Sequence, residues 1–250
     1  MASHPIYEFN AELEDFEPKI WRRFQVTDDI TVARLAYIVM TLFEMKASHL
    51  FAVEVPYAEN IHKTWRQQFP RMTEETYHEA FAGENRILRY EIMDDDFEPL
   101  NDPNIKESNA IQTHLSHVIG YAGEHLRIEY DFGDDWWVDL TLLKVFEDKE
   151  LDGKLLPRVL NGAGFGIVED CGGVGGLEEL VGAFKKKKGE RYREFREWLG
   201  VDDFDITAFD IDDMNFRLKK IPRIYKQCYE DRLSPTRQSI NLIERKYLKK

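Results

Sequence analysis

KIWRRFQVTDDITVARLAYIVMTLFEM, residues 19–45, changes its period halfway through. Over 19–27 the side chains alternate: Ile20, Arg22, Phe24 and Val26 fall on one face, and Trp21, Arg23 and Gln25 on the other. A period of two is the mark of a half-buried strand. From Thr31 onward Val32, Leu35, Ala36, Val39, Leu42 and Phe43 recur at spacings of three and four, which makes one apolar helix face. Asp28, Asp29 and Thr31 stand in front of that helix with oxygens suited to its N-cap. A strand that runs into an amphipathic helix points to a sheet with a helix packed across it.

The neighbouring stretches agree. IYEFNAELE (6–14) places Ile6, Phe9, Ala11 and Leu13 against Glu8, Asn10, Glu12 and Glu14, an alternation with one slip near Tyr7. DFEPK turns the chain at Pro18, so 6–14 and 19–27 form a hairpin. HLFAVEV (49–55) is a third strand closed by Pro56, and ILRYEIM (87–93) a further one, with a short helix near 73–82 between them. DDDFEPLNDPN (94–104) is an acidic loop. IKESNAIQTHLSHVIG (105–120) reads as a helix with Ile111, Leu115, Val118 and Ile119 inward. HLRIEYDF (125–132) and WWVDLTLLKVF (136–146) are strands, the stretch 147–176 is rich in glycine, and helices are expected over 177–188, 190–200, 210–221 and the C-terminal SPTRQSINLIERKYLKK. The expected fold class is α+β: a roll or β-grasp-like mixed sheet, mainly antiparallel, with helices packed on one face and a helical C-terminal extension. The division is a domain over 1–220 and a basic helical extension over 221–250.

The chain has 250 residues and a formal net charge of −13. That charge repels a polyanion, because nucleic-acid binding rests on clustered Lys and Arg. The distribution is uneven: residues 217–250 hold eleven Lys/Arg against Glu230, Asp231 and Glu244, a net of +8, which leaves −21 on the rest. Nucleic acid is therefore a candidate partner through 217–250 alone, and a helix docked on the protein's own acidic face is the simpler account of the same charges. Cys171 and Cys228 form no CxxC pair. The start resembles no signal peptide, and no apolar run approaches the ~20 residues of a membrane helix. A cytoplasmic protein with reduced thiols, no cofactor and no membrane attachment is expected, with another protein as its partner.

YDFGDDWW (130–137) is the densest chemical stretch. Its Gly133 places a hairpin turn between two strands. Asp131, Asp134 and Asp135 can hold a hard cation, act as acid or base, or simply accept backbone hydrogen bonds in the turn. Trp136 and Trp137 must point to opposite sides of their strand. DFG at 131–133 lacks every other element of a kinase site, and neither NGAGFG (161–166) nor CGGVGG (171–176) is a dinucleotide fingerprint. Glu169 and Asp170 precede Cys171, for which an inert, buried thiol is the simpler role. His114 and His117, one helical turn apart, can co-ligate a metal with Glu107, although packing or solvent exposure is commoner for such a pair. The candidate surface comprises Trp21, Arg22, Arg23, His49, Asp131, Asp134, Asp135, Trp136, Trp137, Glu169 and Asp170. Within it Asp131, Asp134, Asp135 and Asp170 are the metal candidates, with no metal assigned.

PKIWRRFQV, SHLFAV, YDFGDDWWVDL, EDCGGVGGLEEL and FDIDDMNFRL occur in one order. In this the chain resembles the plasmid Ri open-reading-frame-three-like family, also met as passenger proteins of insertion elements, from about residue 5 to 220. The resemblance implies an α+β roll and an accessory protein of plasmid or mobile-element origin, and it implies no defined activity. Val138 stands where the family pattern has a His, and Ile167-Val168 where it has Pro-Pro.

Overall fold

A computed structural model describes residues 4–82, 86–95 and 97–247. The expected hairpin is β1 (Ile6–Leu13) and β2 (Trp21–Thr27). Phe9 pairs with Phe24 and Ala11 with Arg22, so the faces match those anticipated for β2. In β1 Tyr7, Phe9, Ala11 and Leu13 alternate into the core, Ile6 is buried as well, and the strand's pairing shifts register between Glu8 and Phe9. Tyr7 earns its place there because its hydroxyl donates to Ile119 O at 3.0 Å. Helix α1 (Val32–Leu42) starts at Thr31, whose Oγ1 accepts from Arg34 N at 3.1 Å, and every residue of it but Arg34 is buried. β3 (Phe51–Val55) follows.

Helix α2 (Tyr57–Gln68) has no counterpart among the expected elements, because its polar composition hides it, whereas α3 (Glu74–Ala80) lies where expected. β4 (Ile87–Glu91) is followed by β5 (Ile105–Asn109), which replaces the first part of the helix expected over 105–120. The anticipated apolar residues do turn inward, Leu115 and Ile119 fully and Ile111 and Val118 in part, but a loop and one 3₁₀ turn at Leu115–His117 present them. His114 and His117 stand at the two ends of that turn with their rings edge-to-face, 5.9 Å between centroids, and a ring nitrogen of His114 lies 2.7 Å from Asp29 O. β6 (His125–Tyr130) and β7 (Trp136–Phe146) flank the acidic turn. β8 (Arg158–Ala163) emerges from the glycine-rich stretch, where no alternation announces it.

The strands form one sheet in the order β5-β4-β3-β6-β7-β1-β2-β8, antiparallel throughout except for the parallel β4–β5 pair. The fold is thus α+β with a mixed, mainly antiparallel sheet, as the sequence pattern implies. α4 (Gly173–Lys186), α5 (Glu190–Leu199) and α6 (Ile211–Leu218) match expected helices, and α7 (Ile221–Tyr229) and α8 (Arg237–Ile243) make the C-terminal part helical. Residues 248–250 of the expected terminal helix and Asp96 of the acidic loop lie outside the described residues. Ile221 and Tyr225 of α7 are fully buried in the core they share with α1. The basic stretch docks on acidic side chains of the same chain: Arg217 and Arg245 meet Glu44 at 2.5 and 2.8 Å, and Arg232 meets Asp94 at 2.9 Å. Among the described residues no helix is long and apolar enough to cross a membrane.

Candidate functional site

Between Tyr130 and Trp136, which face each other across β6 and β7, the turn 131–135 must reverse the chain. Asp131 and Asp135 adopt left-handed φ values of 57° and 55°, which Asp tolerates better than most side chains. Asp131 Oδ1 accepts from Gly133 N at 3.1 Å, and Asp135 N donates to Asp131 O at 2.7 Å. Asp135 Oδ1 accepts from the Trp137 indole at 2.6 Å. Asp134 Oδ2 accepts from Gly172 N at 3.2 Å, ahead of α4. Each carboxylate of the motif is thus already engaged in shaping the turn or its neighbour. Trp136 is fully buried, whereas Trp137 is half-buried under the Arg127 guanidinium, 4.4 Å from its ring.

The 164–173 loop comes up against this turn. Gly166, at φ 138°, lets Ile167 N donate to Phe43 O at 2.9 Å, since a Cβ there would lie 2.5 Å from that carbonyl oxygen. Glu169 is buried, and it accepts from Lys46 N at 2.6 Å, Ser48 Oγ at 2.8 Å and the Tyr130 hydroxyl. Beyond it, His49 spans two acids: Nδ1 is 3.3 Å from Asp131 Oδ2 and Nε2 is 3.3 Å from Asp170 Oδ1. The ring stands edge-on to Tyr130, and the His49 carbonyl accepts from the Tyr229 hydroxyl. Burial, then the Asp134 carboxylate, pushes the Cys171 thiol up to about 12, which keeps it protonated and unreactive.

His49, Asp131, Asp134, Asp135, Trp137, Glu169 and Asp170 therefore share one region. The imidazole lies between Asp131 and Asp170 and faces them with opposite nitrogens, so it bridges the acids and does not converge with them on a point. Among the described residues, the side chains that do converge closely enough for one ion are His4, Asp28 and Asp29, with His4 and Asp29 exposed.

Trp21, Arg22 and Arg23 lie elsewhere. Arg22 is completely buried, so it belongs to no surface, which corrects its place in the candidate set. Its guanidinium donates to Leu42 O, Trp21 O, Ala163 O, Gly164 O and Phe165 O at 2.7–3.0 Å and lies over the Phe209 ring at 4.3 Å. Arg23, on the opposite face, donates to buried Glu8, which also accepts from Gln25 at 2.7 Å. Trp136 is likewise a core residue and offers nothing to a surface.

Sequence reasoning missed the space beside the His49 bridge. A cleft of about 470 Å³ is walled by Ser48, His49, Asp131 and Gly133. A second of about 800 Å³ lies over Arg89, Glu91 and Glu129. Arg89 holds Glu54, Glu91 and Glu129 at 2.6–2.8 Å. Burial alone would lower its pKa, yet the bonds to Glu91 and Glu54 outweigh that and raise it. The one signal available in sequence was a cation in the middle of ILRYE, between apolar neighbours.

Residues 5–213 match the family described as plasmid pRiA4b ORF-3-like protein. The uncharacterized protein y4hQ of Sinorhizobium fredii (strain NBRC 101917 / NGR234) is 31% identical over 101 residues, which cover 40% of this chain and 50% of that protein. The chain thus spans about half the length of that relative. The crystal structure of MM3350, a protein of unknown function from Methanosarcina mazei Go1, superposes with a TM-score of 0.62 at 24% identity, over 84% of this chain and 97% of that one. At that identity the likeness is one of fold.

Proposed function

The chain belongs to the plasmid pRiA4b ORF-3-like family, and from that premise we propose that it is a non-catalytic accessory protein of plasmid or mobile-element origin, working in the cytoplasm by binding a protein partner. The observation that carries this reading is the His49 bridge. Asp131 and Asp170 lie on opposite sides of one imidazole, and Asp134 and Asp135 are bonded to Gly172 N and the Trp137 indole. A divalent cation needs oxygens that converge, and this set diverges. The two clefts beside it offer a partner an irregular wall of mixed polarity.

The competing reading is a divalent-metal hydrolase in which Asp131, Asp134, Asp135 and Asp170 hold the ion and activate water. One observation favours it: His49 joins Asp131 to Asp170, His49 and Asp131 wall a cleft, and neither Arg22 nor Arg23 lines it. A third reading, nucleic-acid binding through 217–250, draws on cations of which Arg217, Lys226, Arg232, Arg245 and Lys246 are already paired within the chain.

Thermal unfolding with Mg²⁺, Mn²⁺, Ca²⁺ and Zn²⁺, beside an Asp131→Asn, Asp135→Asn variant, separates the first two. A ligand at a hundred times its Kd adds about 2.7 kcal/mol to stability. No shift in the midpoint is expected from any ion. A shift in the parent that the variant lacks would put the hydrolase first.

A further inference from the structure

Leu50, Phe132, Cys228 and Tyr229 line both clefts beside the His49 bridge, which makes the two one groove. We infer that this groove takes a basic amphipathic segment of a partner protein, its apolar side chains against Leu50, Leu100 and Phe132 and its Lys or Arg side chains along the carboxylates. The inference rests on the binding function proposed above and names the chemistry of the partner.

Leu50, Leu100 and Phe132 are 64, 51 and 41% exposed, and all face this groove. Single exposed apolar residues are ordinary, but a cluster along a concave wall marks an interaction site. The carboxylates outnumber the cations. Glu91, Asp94, Glu98, Glu129 and Asp131 line the groove against the guanidiniums of Arg89 and Arg232. Both cations are spent, Arg89 on Glu54, Glu91 and Glu129, and Arg232 on Asp94. Even with Arg89 in contact, burial and then the nearby Glu54 and Asp135 carboxylates hold Glu129 above its usual range. A cationic occupant relieves that surplus, and an anionic one adds to it.

Shape argues for a chain segment. The wider cleft of about 800 Å³ already lies towards the upper end of the roughly 300–1,000 Å³ typical of small-molecule sites, and the narrower one extends it. Cys228, Tyr229 and Arg232 supply one wall, and they lie beyond residues 5–213 that carry the family match. The groove is therefore completed by the C-terminal part of this chain.

Three fluorescently labelled peptides of equal length test it: alternating Leu/Lys, alternating Leu/Glu and alternating Ser/Lys. Anisotropy reads affinity, and alkylation by iodoacetamide reads occupancy, because Cys228 lines the groove, with free N-acetylcysteine in the same solution as the reference. The Leu/Lys peptide should bind and should slow alkylation of Cys228 alone. Glu98→Lys and Leu50→Ser should each weaken it by about tenfold, and both positions are exposed enough to leave the fold intact. Equal binding of the Leu/Glu peptide overturns the charge requirement, and equal binding of the Ser/Lys peptide overturns the apolar one. An unprotected Cys228, unaffected variants or no binding at all overturns the site. The wider binding function fails on a different result, the metal-dependent shift described above, so the two failures are told apart.

Discussion

Arg22 and Arg89 are both buried arginines of the same sheet, each on a strand one place in from an edge. Their surroundings differ in kind. Arg22 donates to five backbone carbonyls and touches no carboxylate. Arg89 is held by the carboxylates of Glu54, Glu91 and Glu129. Burial pushes the Arg22 guanidinium down to about 9, with the more distant Glu44 only partly offsetting it. At Arg89 burial is outweighed by Glu91 and Glu54, and the pKa rises. Carbonyls are neutral, so Arg22 ties Leu42 and the 163–165 backbone to β2 without gathering carboxylates around it, and it lines neither cleft. Three carboxylates around one guanidinium leave negative charge over, and that charge lines a groove. A buried arginine is scaffold in the first case and part of a recognition surface in the second.

The strongest break in this comparison is Arg22→Met. It leaves five carbonyls without this donor, around a side chain that is itself fully buried. Each orphaned buried acceptor costs about 1–3 kcal/mol, so a loss of at least about 4 kcal/mol is expected, a large part of a domain's total. Arg22→Lys should recover little, since an ammonium cannot reproduce the planar fork. Urea unfolding at pH 7 and pH 5 should give the same loss, because carbonyls do not titrate. A loss below about 2 kcal/mol would mean that the carbonyls find other donors.

Arg89→Met comes next. It leaves part-buried Glu91 and Glu129 without a cation and buried Glu54 with Arg127 alone, 3.1 Å away, which costs about 3–5 kcal/mol at pH 7. Here pH matters. Glu129 already stands above its usual range and loses the guanidinium that lowers it, so the lost stability returns as pH falls through its raised folded pKa. The loss should therefore shrink in urea unfolding at pH 5 and below. Equal losses at both pH values for both variants would erase the distinction between the two arginines.

How far this pair could be foreseen follows from where the partners lie along the chain. Alternation in 19–27 placed Arg22 beside Phe24 and Val26, on the face that proves to be the core. Its acceptor Ala163, however, is 141 residues away, in a glycine-rich stretch with no strand period. Gly162 explains that silence: a Cβ there would lie 2.8 Å from Trp21 O, so close packing against β2 took the side chain that would have marked β8. The spacing of Ile111, Leu115, Val118 and Ile119 identified inward residues and misread their backbone, because a loop that folds over a core can copy helical spacing. Asp131 and Asp170 stand out within their own stretches because turn chemistry and acid runs are local signals, whereas the fold alone sets His49 between them. The groove is not legible in this way, since β4, the side chains of Asp94, Glu98 and Leu100, and α7 meet there from distant parts of the sequence.

The smallest change sharpens the comparison most. Glu129→Gln removes one negative charge from the Arg89 cluster and keeps an oxygen that accepts from Arg89, now 2.8 Å from Glu129 Oε2. Glu129 stands above its ordinary value, chiefly through burial. A carboxyl whose folded pKa is raised opposes folding while it is ionised, and that penalty disappears as pH falls through the folded pKa. The amide carries no such penalty. The variant should therefore lie within about 1 kcal/mol of the parent at pH 7, on the stable side, and the gap should close near pH 4. The same substitution should weaken the Leu/Lys peptide, because the groove loses part of its charge. If Glu129→Gln instead destabilises the fold equally at every pH, the carboxylate is needed to hold Arg89 in place. The Arg89 cluster would then be a second scaffold of the Arg22 type, built with charged acceptors.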